Sequence, residues 1–301
     1  MTTLTAIVPA TNAPPTLARC VAAIRAAVDP PEQVIVVSEG ASKGPAAARN
    51  DGAAQANGDI LVFVDADVVP DEDAFRRIRT GFDDDPDLTA LFGSYDDAPE
   101  APGVVSGFRN LLHHHVHHGS PGLATTFWAG LGAIRREAFL AAGGFDAQRY
   151  PRPSIEDIEL GVRLADAGAR IRLDPEIQGR HLKSWSLAEM LSTDFGRRGV
   201  PWVVLLARNG TSSSALNLGW RHRLSAGASL IVVGAVVGRR PRLAFGALAA
   251  LVGLNASFYA LLARRRGLRQ ASVGVPLHVL HHVAGACAIP VGLVAALARR
   301  R

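Results

Sequence analysis

Lysine and cysteine are scarce in this 301-residue chain: Lys43 and Lys183 stand against thirty arginines, and Cys20 and Cys287 are the only thiols. Two cysteines so far apart show no metal or redox spacing and exclude a disulfide framework. A reducing compartment suits such a chain. Acid is missing as well, but only from one end: Trp220 to Arg301 holds twelve Arg and no Lys, Asp or Glu. The 20 basic residues before Trp220 face all 27 acidic ones, so the formal net charge of +5 describes neither half. The tail's arginines sit between apolar runs rather than along one polar face, which speaks against nucleic-acid binding. Met1–Thr5 lacks a basic region and the apolar run after it breaks at Pro9, so no signal peptide is expected.

What the tail does have is three apolar stretches, Leu224–Gly238, Leu243–Leu262 and Ala271–Ala298. A membrane-spanning helix needs roughly 20 such residues. The second stretch meets that length, the third exceeds it with Pro276 and Pro290 as interruptions, and the first is short enough to lie in the interface. The distribution of arginine between the stretches favours an even number of crossings, with the N-terminal half cytoplasmic. Residues 1–219 are therefore expected to form a cytoplasmic domain. Residues 220–301 are expected to form a membrane domain of two to three helices, in a multi-pass protein of the plasma membrane.

Before the tail, strand and helix signals alternate. Leu4–Pro9, Gln33–Val37 and Asp59–Val64 read as strands; Thr16–Val28, Pro45–Asn57 and Glu72–Phe82 read as helices. That alternation predicts an α/β fold around a largely parallel sheet with a nucleotide-type crevice. The third strand, an unbroken run of Ile, Leu, Val and Phe, reads as buried on both faces. Asp65 and Asp67 follow it, where ligands bind in open α/β sheets. Paired oxygen ligands there suit Mg²⁺ or Mn²⁺, which usually also holds substrate phosphates. Asp71, Glu72 and Asp73 fit better as the acidic first turn of a helix.

An ordered series of segments resembles the family 2 glycosyltransferases of GT-A fold. It comprises Ile7-Val8-Pro9, Gln33–Val37, Gly44–Gly58 with Arg49-Asn50, Asp65-Ala66-Asp67, Gly130–Asp146, Ser154–Gly168 and His181-Leu182-Lys183. The resemblance covers roughly residues 4 to 205; the apolar tail lies outside it, although membrane-anchored members are common. It implies transfer of a sugar from a nucleotide diphosphate donor, with Mn²⁺ or Mg²⁺. Asp67 would be the direct metal ligand, Asp65 would lie nearer the ribose or a coordinated water, and His181 would complete the metal site. Pro9, Ala10 and Thr11 would border the base and ribose, with Ala66 inside the DxD. Glu39 stands where the family usually has an Asp that contacts the base, and Lys43 and Arg49 would reach the base or the diphosphate.

The segment Ser154-Ile155-Glu156-Asp157 resembles the one that supplies the family's catalytic base. That role falls to Asp157, with Glu156 orienting it or the acceptor. A helix start here would favour the carboxylate form, which a base requires. Trp128 and Gly130 would line the acceptor side. Arg197, Arg198 and Trp202 echo a basic-aromatic element found near the diphosphate, at a spacing unlike the usual QxxRW; an amphipathic helix on anionic lipid headgroups fits them equally. His113–His118 has the look of a metal tract, but neighbouring histidines on a helix point around it rather than converge. A helix near the acceptor pocket or the membrane surface is the stronger reading.

The expected activity is inverting glycosyl transfer to a lipid, lipid-linked or glycan acceptor. Two other classes share parts of the pattern. A nucleotidyltransferase would need a Gly-rich phosphate loop after the first strand, where Asn12-Ala13-Pro14-Pro15 stands instead. A non-catalytic membrane scaffold would tolerate the departure at Ser38-Glu39, but not explain the intact Asp65, Asp67 and Asp157.

Overall fold

The computed structural model describes residues 2–11, 13–38, 44–209 and 219–298. They divide into two compact units. Unit 1 is Met1–Asp96 with His117–Lys183; unit 2 is Asp97–Val116 with Ser184–Arg301. The chain therefore passes between the units three times, after Asp96, after Val116 and after Lys183.

Unit 1 is built on an eight-stranded mixed sheet. The strands are β1 (Leu4–Pro9), β2 (Gln33–Val37), β3 (Ile60–Val64), β4 (Val68–Pro70), β5 (Leu88–Tyr95), β6 (Gly122–Ala124), β7 (Leu131–Arg135) and β8 (Arg170–His181). The order is β2-β1-β3-β7-β5-β8-β4, with β6 beside β8. The pairings make β2, β1, β3, β5 and β8 run one way and β7, β4 and β6 the other. All five residues of β3 are buried, as a strand at the centre of a covered sheet must be.

Helices α1 (Leu17–Ala26), α2 (Gly44–Ala54), α3 (Ala74–Asp83), α5 (Arg136–Ala141) and α6 (Glu156–Asp166) flank the strands, and α4 (Val104–His118) leads from unit 2 into unit 1. Besides Arg49, helix α2 buries small residues, among them Ala46, Ala48 and Ala53. Phe63 of β3 meets Phe139 and Phe145 at ring separations of 5.4 and 5.1 Å. Helix α3 begins after Asp71, Glu72 and Asp73, not with them. Asp73 instead accepts from Arg77 at 2.7 Å, and all three line an open cleft of about 550 Å³ with Arg76 and Arg180.

Unit 2 is helical. After Ser186 come α7 (Leu187–Ser192), a π-helical segment Thr193–Gly199, α8 (Val200–Asn209), α9 (Trp220–Val237), α10 (Pro241–Leu254), α11 (Ala256–Arg266) and α12 (Leu268–Ala298). The Ser186 hydroxyl accepts from the Glu189 amide, and the Glu189 carboxylate accepts from the Ser186 amide, a reciprocal cap that starts α7. Phe108, Leu111, Leu112, Met190, Phe258, Leu262 and Leu277 form its core. Asp194 is buried between Arg109 (2.7 Å) and His281 (2.8 Å).

The three expected apolar stretches are helical, but they differ in their fitness to cross a bilayer. Helix α12 is long and apolar enough, with mean hydropathy 1.8 over its best window. The second stretch breaks at Asn255 into α10 and α11, bent by 74°. Asn255 is buried, and its side-chain amide donates to Ser225 and to the Leu251 carbonyl, so the bend is built on satisfied polar groups. Pro276 and Pro290 do not interrupt α12, which runs through both. Each proline removes one amide donor, and a helix in a packed bundle tolerates that loss.

Candidate active site

The sheet places the candidate residues by register. Asp65, Ala66 and Asp67 form the turn between β3 and β4, with the Val68 amide donating to the Asp65 carbonyl at 2.9 Å. Because β4 pairs antiparallel with β8, Val68 lies opposite His181, and the Leu182 amide donates to the Asp67 carbonyl at 2.8 Å. His181 Nε2 therefore stands 3.5 Å from Asp67 Oδ2. Burial alone would raise the Asp67 carboxyl, but the hydrogen bond and charge of His181, with Lys183 beyond, hold it below the usual range.

The second carboxylate is engaged differently. Arg49 Nη2 donates to Asp65 Oδ1 at 2.6 Å, and Arg49 Nη1 donates to Glu156 Oε1 at 3.0 Å. Glu156 is buried at the start of α6, its other oxygen accepting from the Ser154 amide at 2.8 Å. Burial pushes Asp65 up, with Asp67 and Glu156 adding to it against the pull of Arg49. Burial disfavours the Arg49 charge, but the carboxylates of Asp65, Glu156 and Asp157 outweigh it and hold the guanidinium charged. The same environment pushes the buried Cys20 thiol, whose Sγ is 3.6 Å from the Asp65 carbonyl, up to about 12. That thiol is no nucleophile.

Two separate sequence segments hold Arg49 in place. Its guanidinium lies 5.5 Å from the Phe145 ring centre, and the neighbouring Asn50 side chain exchanges hydrogen bonds with the Phe145 amide and carbonyl. The Arg49-Asn50 pair and the Gly143-Gly144-Phe145 turn are thus one packing unit.

Asp157 sits in the first turn of α6. Its Oδ2 accepts from the Ala129 amide at 3.2 Å, and its Oδ1 from the Ile158 amide at 2.8 Å. Helix α6 comes this near because residue 161 is glycine: a Cβ there would lie 2.2 Å from the Phe127 nitrogen. The Phe127–Gly130 loop and the first turns of α6, with Asp157, therefore share one wall.

Of the expected donor-side residues, Ala10 is buried at the end of β1, its amide donating to the Val37 carbonyl, and Pro9 ends that strand. Thr11 follows, partly exposed. Glu39 and Lys43 lie outside the described residues. Trp128 and Gly130 are buried in unit 1. Arg197, Arg198 and Trp202 belong to unit 2, where both arginines are exposed. The histidines of α4 have separate partners: His115 tilts against Phe258, His117 Nδ1 lies 2.9 Å from the Gly93 carbonyl, and His118 meets Gln178.

Asp65, Asp67, Glu156 and Asp157 face Arg49 and Lys183, which leaves the site negative. Among the described residues no three His, Cys, Asp or Glu side chains gather as a complete metal-ligand set. Asp67 with His181 makes a partial one, which suits Mn²⁺ or Mg²⁺ because these ions keep waters and take further oxygens from substrate phosphates.

Residues 27–140 match the sequence profile of Glycosyl transferase family 2. The pre-mycofactocin glycosyltransferase of Mycobacterium tuberculosis (strain CDC 1551 / Oshkosh) is 34% identical over 152 residues, 44% of this chain and 29% of its own. The chain thus spans under a third of that relative's length. The mannosyltransferase PcManGT from Pyrobaculum calidifontis, solved with GDP-Man and Mn²⁺, superposes with a TM-score of 0.54 at 19% identity, over 95% of this chain and 87% of that one. GalNAc-T7, solved with UDP, GalNAc and Mn²⁺, gives 0.51 at 15% identity, over 76% and 51%. Over residues 27–140 the chain is thus similar to the family 2 glycosyltransferases, and it has the GT-A fold.

Proposed function

We propose that the protein is a membrane-associated inverting glycosyltransferase that moves a sugar from a nucleoside diphosphate donor to a hydroxyl of a lipid, lipid-linked or glycan acceptor. The observation that carries this reading is the double hydrogen bond of Arg49, which ties the DxD carboxylate Asp65 to Glu156 beside Asp157. Donor and base segments are thereby held in one rigid frame, as a displacement at a single carbon requires.

In this reading Asp67 and His181 would hold Mn²⁺ or Mg²⁺, and Asp65 would lie toward the ribose or a coordinated water. The cation supplies charge neutralisation for the leaving diphosphate. Asp157 accepts the proton of the acceptor hydroxyl as that oxygen bonds to the anomeric carbon. The bond from that carbon to the diphosphate breaks on the opposite face, and its electron pair leaves with the nucleotide. Glu156 orients through Arg49 rather than by touching the acceptor, and the backbone amide of Ala129 aims Asp157.

Membrane association draws support from α12 and from the side chains that unit 2 leaves outside, such as Val237 at 79%, Phe245 at 75% and Val294 at 67% exposure. Anchoring at the bilayer surface favours an acceptor that carries a lipid, and the distribution of arginine in the tail favours a cytoplasmic catalytic domain. The test is to incubate purified protein with UDP- and GDP-sugars and a lipid extract, then assign the product's anomeric configuration by NMR. Inversion supports the reading; retention would remove Asp157 from the role of base.

A further inference from the structure

The His181 ring does not stand alone beside Asp67. It lies face to face with Tyr95, at a centroid distance of 4.3 Å and an interplanar angle of 6°. Trp128 meets the Tyr95 ring edge-on at 5.0 Å, and His117 meets Trp128 edge-on at 5.5 Å. His117 is fixed in turn by its contact with the Gly93 carbonyl. Tyr95 closes β5 opposite Gly179 of β8, two residues before His181 on the same face of that strand. Gly130 leaves room for the Trp128 indole: a Cβ at 130 would lie 2.3 Å from its ring.

We propose that Tyr95 is a positioning residue for the metal ligand His181, and that Trp128 and His117 brace it. An imidazole on a strand end has a broad torsion about its ring bond, so its plane needs an external support. Stacking on Tyr95 supplies that support and leaves the ring edge, with Nε2, facing Asp67. Groups that orient a liganding histidine alter metal affinity about 10- to 100-fold when removed. The inference rests on the reading of His181 as a ligand, and it gives Trp128 a supporting place in the donor half rather than one limited to the acceptor.

The test compares wild type, Tyr95→Phe, Tyr95→Leu and His181→Ala. Mn²⁺ binding is followed by the EPR signal of free Mn²⁺ in the presence of UDP or GDP, and thermal midpoints are recorded beside it. The expected result is near-wild-type Mn²⁺ affinity for Tyr95→Phe, which keeps the stacking face, and roughly tenfold weaker binding for Tyr95→Leu. Both variants should bind nucleotide like wild type at saturating Mn²⁺. If His181→Ala weakens Mn²⁺ binding while Tyr95→Leu lowers only the thermal midpoint, Tyr95 is structural and the inference fails. If His181→Ala leaves Mn²⁺ binding unchanged, the ligand reading itself fails, and the inference with it.

Discussion

Arg49 and Glu156 are 107 positions apart in sequence, yet the guanidinium of one donates to the carboxylate of the other at 3.0 Å, both side chains buried. The same guanidinium holds Asp65, so one side chain sets the distance between the end of β3 and the start of α6.

Replacing Arg49 tests that frame. Lysine presents a single ammonium and not a fork, so Arg49→Lys should lower kcat/KM by about 100-fold. Arg49→Leu should also cost about 3–5 kcal/mol of stability, because it leaves buried carboxylates without their partner. Steady-state kinetics and thermal unfolding in detergent check both, and wild-type values for Arg49→Leu would deny the bridge any role.

Asp157 and Glu156 should separate cleanly. Asp157→Asn keeps the shape and loses the base, so kcat should fall about 10³-fold with nucleotide affinity unchanged. Glu156→Gln keeps one acceptor for Arg49, and the main loss should be in stability. Calorimetric nucleotide binding beside turnover rates distinguishes the two.

Asp194 gives a pH dependence of known sign. Burial raises its carboxyl, but His281 and Arg109 outweigh it and bring it down to about 2. A carboxylate whose folded value lies below its unfolded one, about 4, adds stability above that value and loses it as pH falls toward 2. Asp194→Asn should therefore destabilise the protein by about 3 kcal/mol at pH 6, and the gap from wild type should close between about pH 4 and pH 2. Thermal midpoints across that range provide the check; a gap independent of pH would contradict the assignment.

Membrane anchoring predicts resistance to extraction. If α12 and the bent α10–α11 pair are inserted, the protein should stay with the membrane pellet after an alkaline carbonate wash and leave it only with detergent. Release by carbonate would point to a peripheral attachment.

Much of unit 1 was legible because local signals agree there. The run Ile60–Val64 carries its own burial pattern, and the strands β1 and β2 match their apolar segments end to end. The long-range partners were not legible. Nothing near Tyr95 announces that it will face His181, because that stack depends on the parallel register of β5 with β8. The sequence places Arg49 near the donor but does not show that Phe145 and Glu156 converge on it. The helix expected for His113–His118 is there, but the sequence does not show the separate polar and aromatic partners of His115, His117 and His118. In the tail, hydropathy located the helices but missed the 74° bend at Asn255, whose buried amide bonds to Ser225 thirty residues away.

The most direct test of the central claim is calorimetric binding of UDP and GDP to the detergent-purified protein, with and without Mn²⁺, for wild type and Asp67→Ala. Wild type is expected to bind one of the two nucleotides in a metal-dependent way, and the variant to lose that binding. Nucleotide binding that ignores both Mn²⁺ and the Asp67 substitution would contradict that claim.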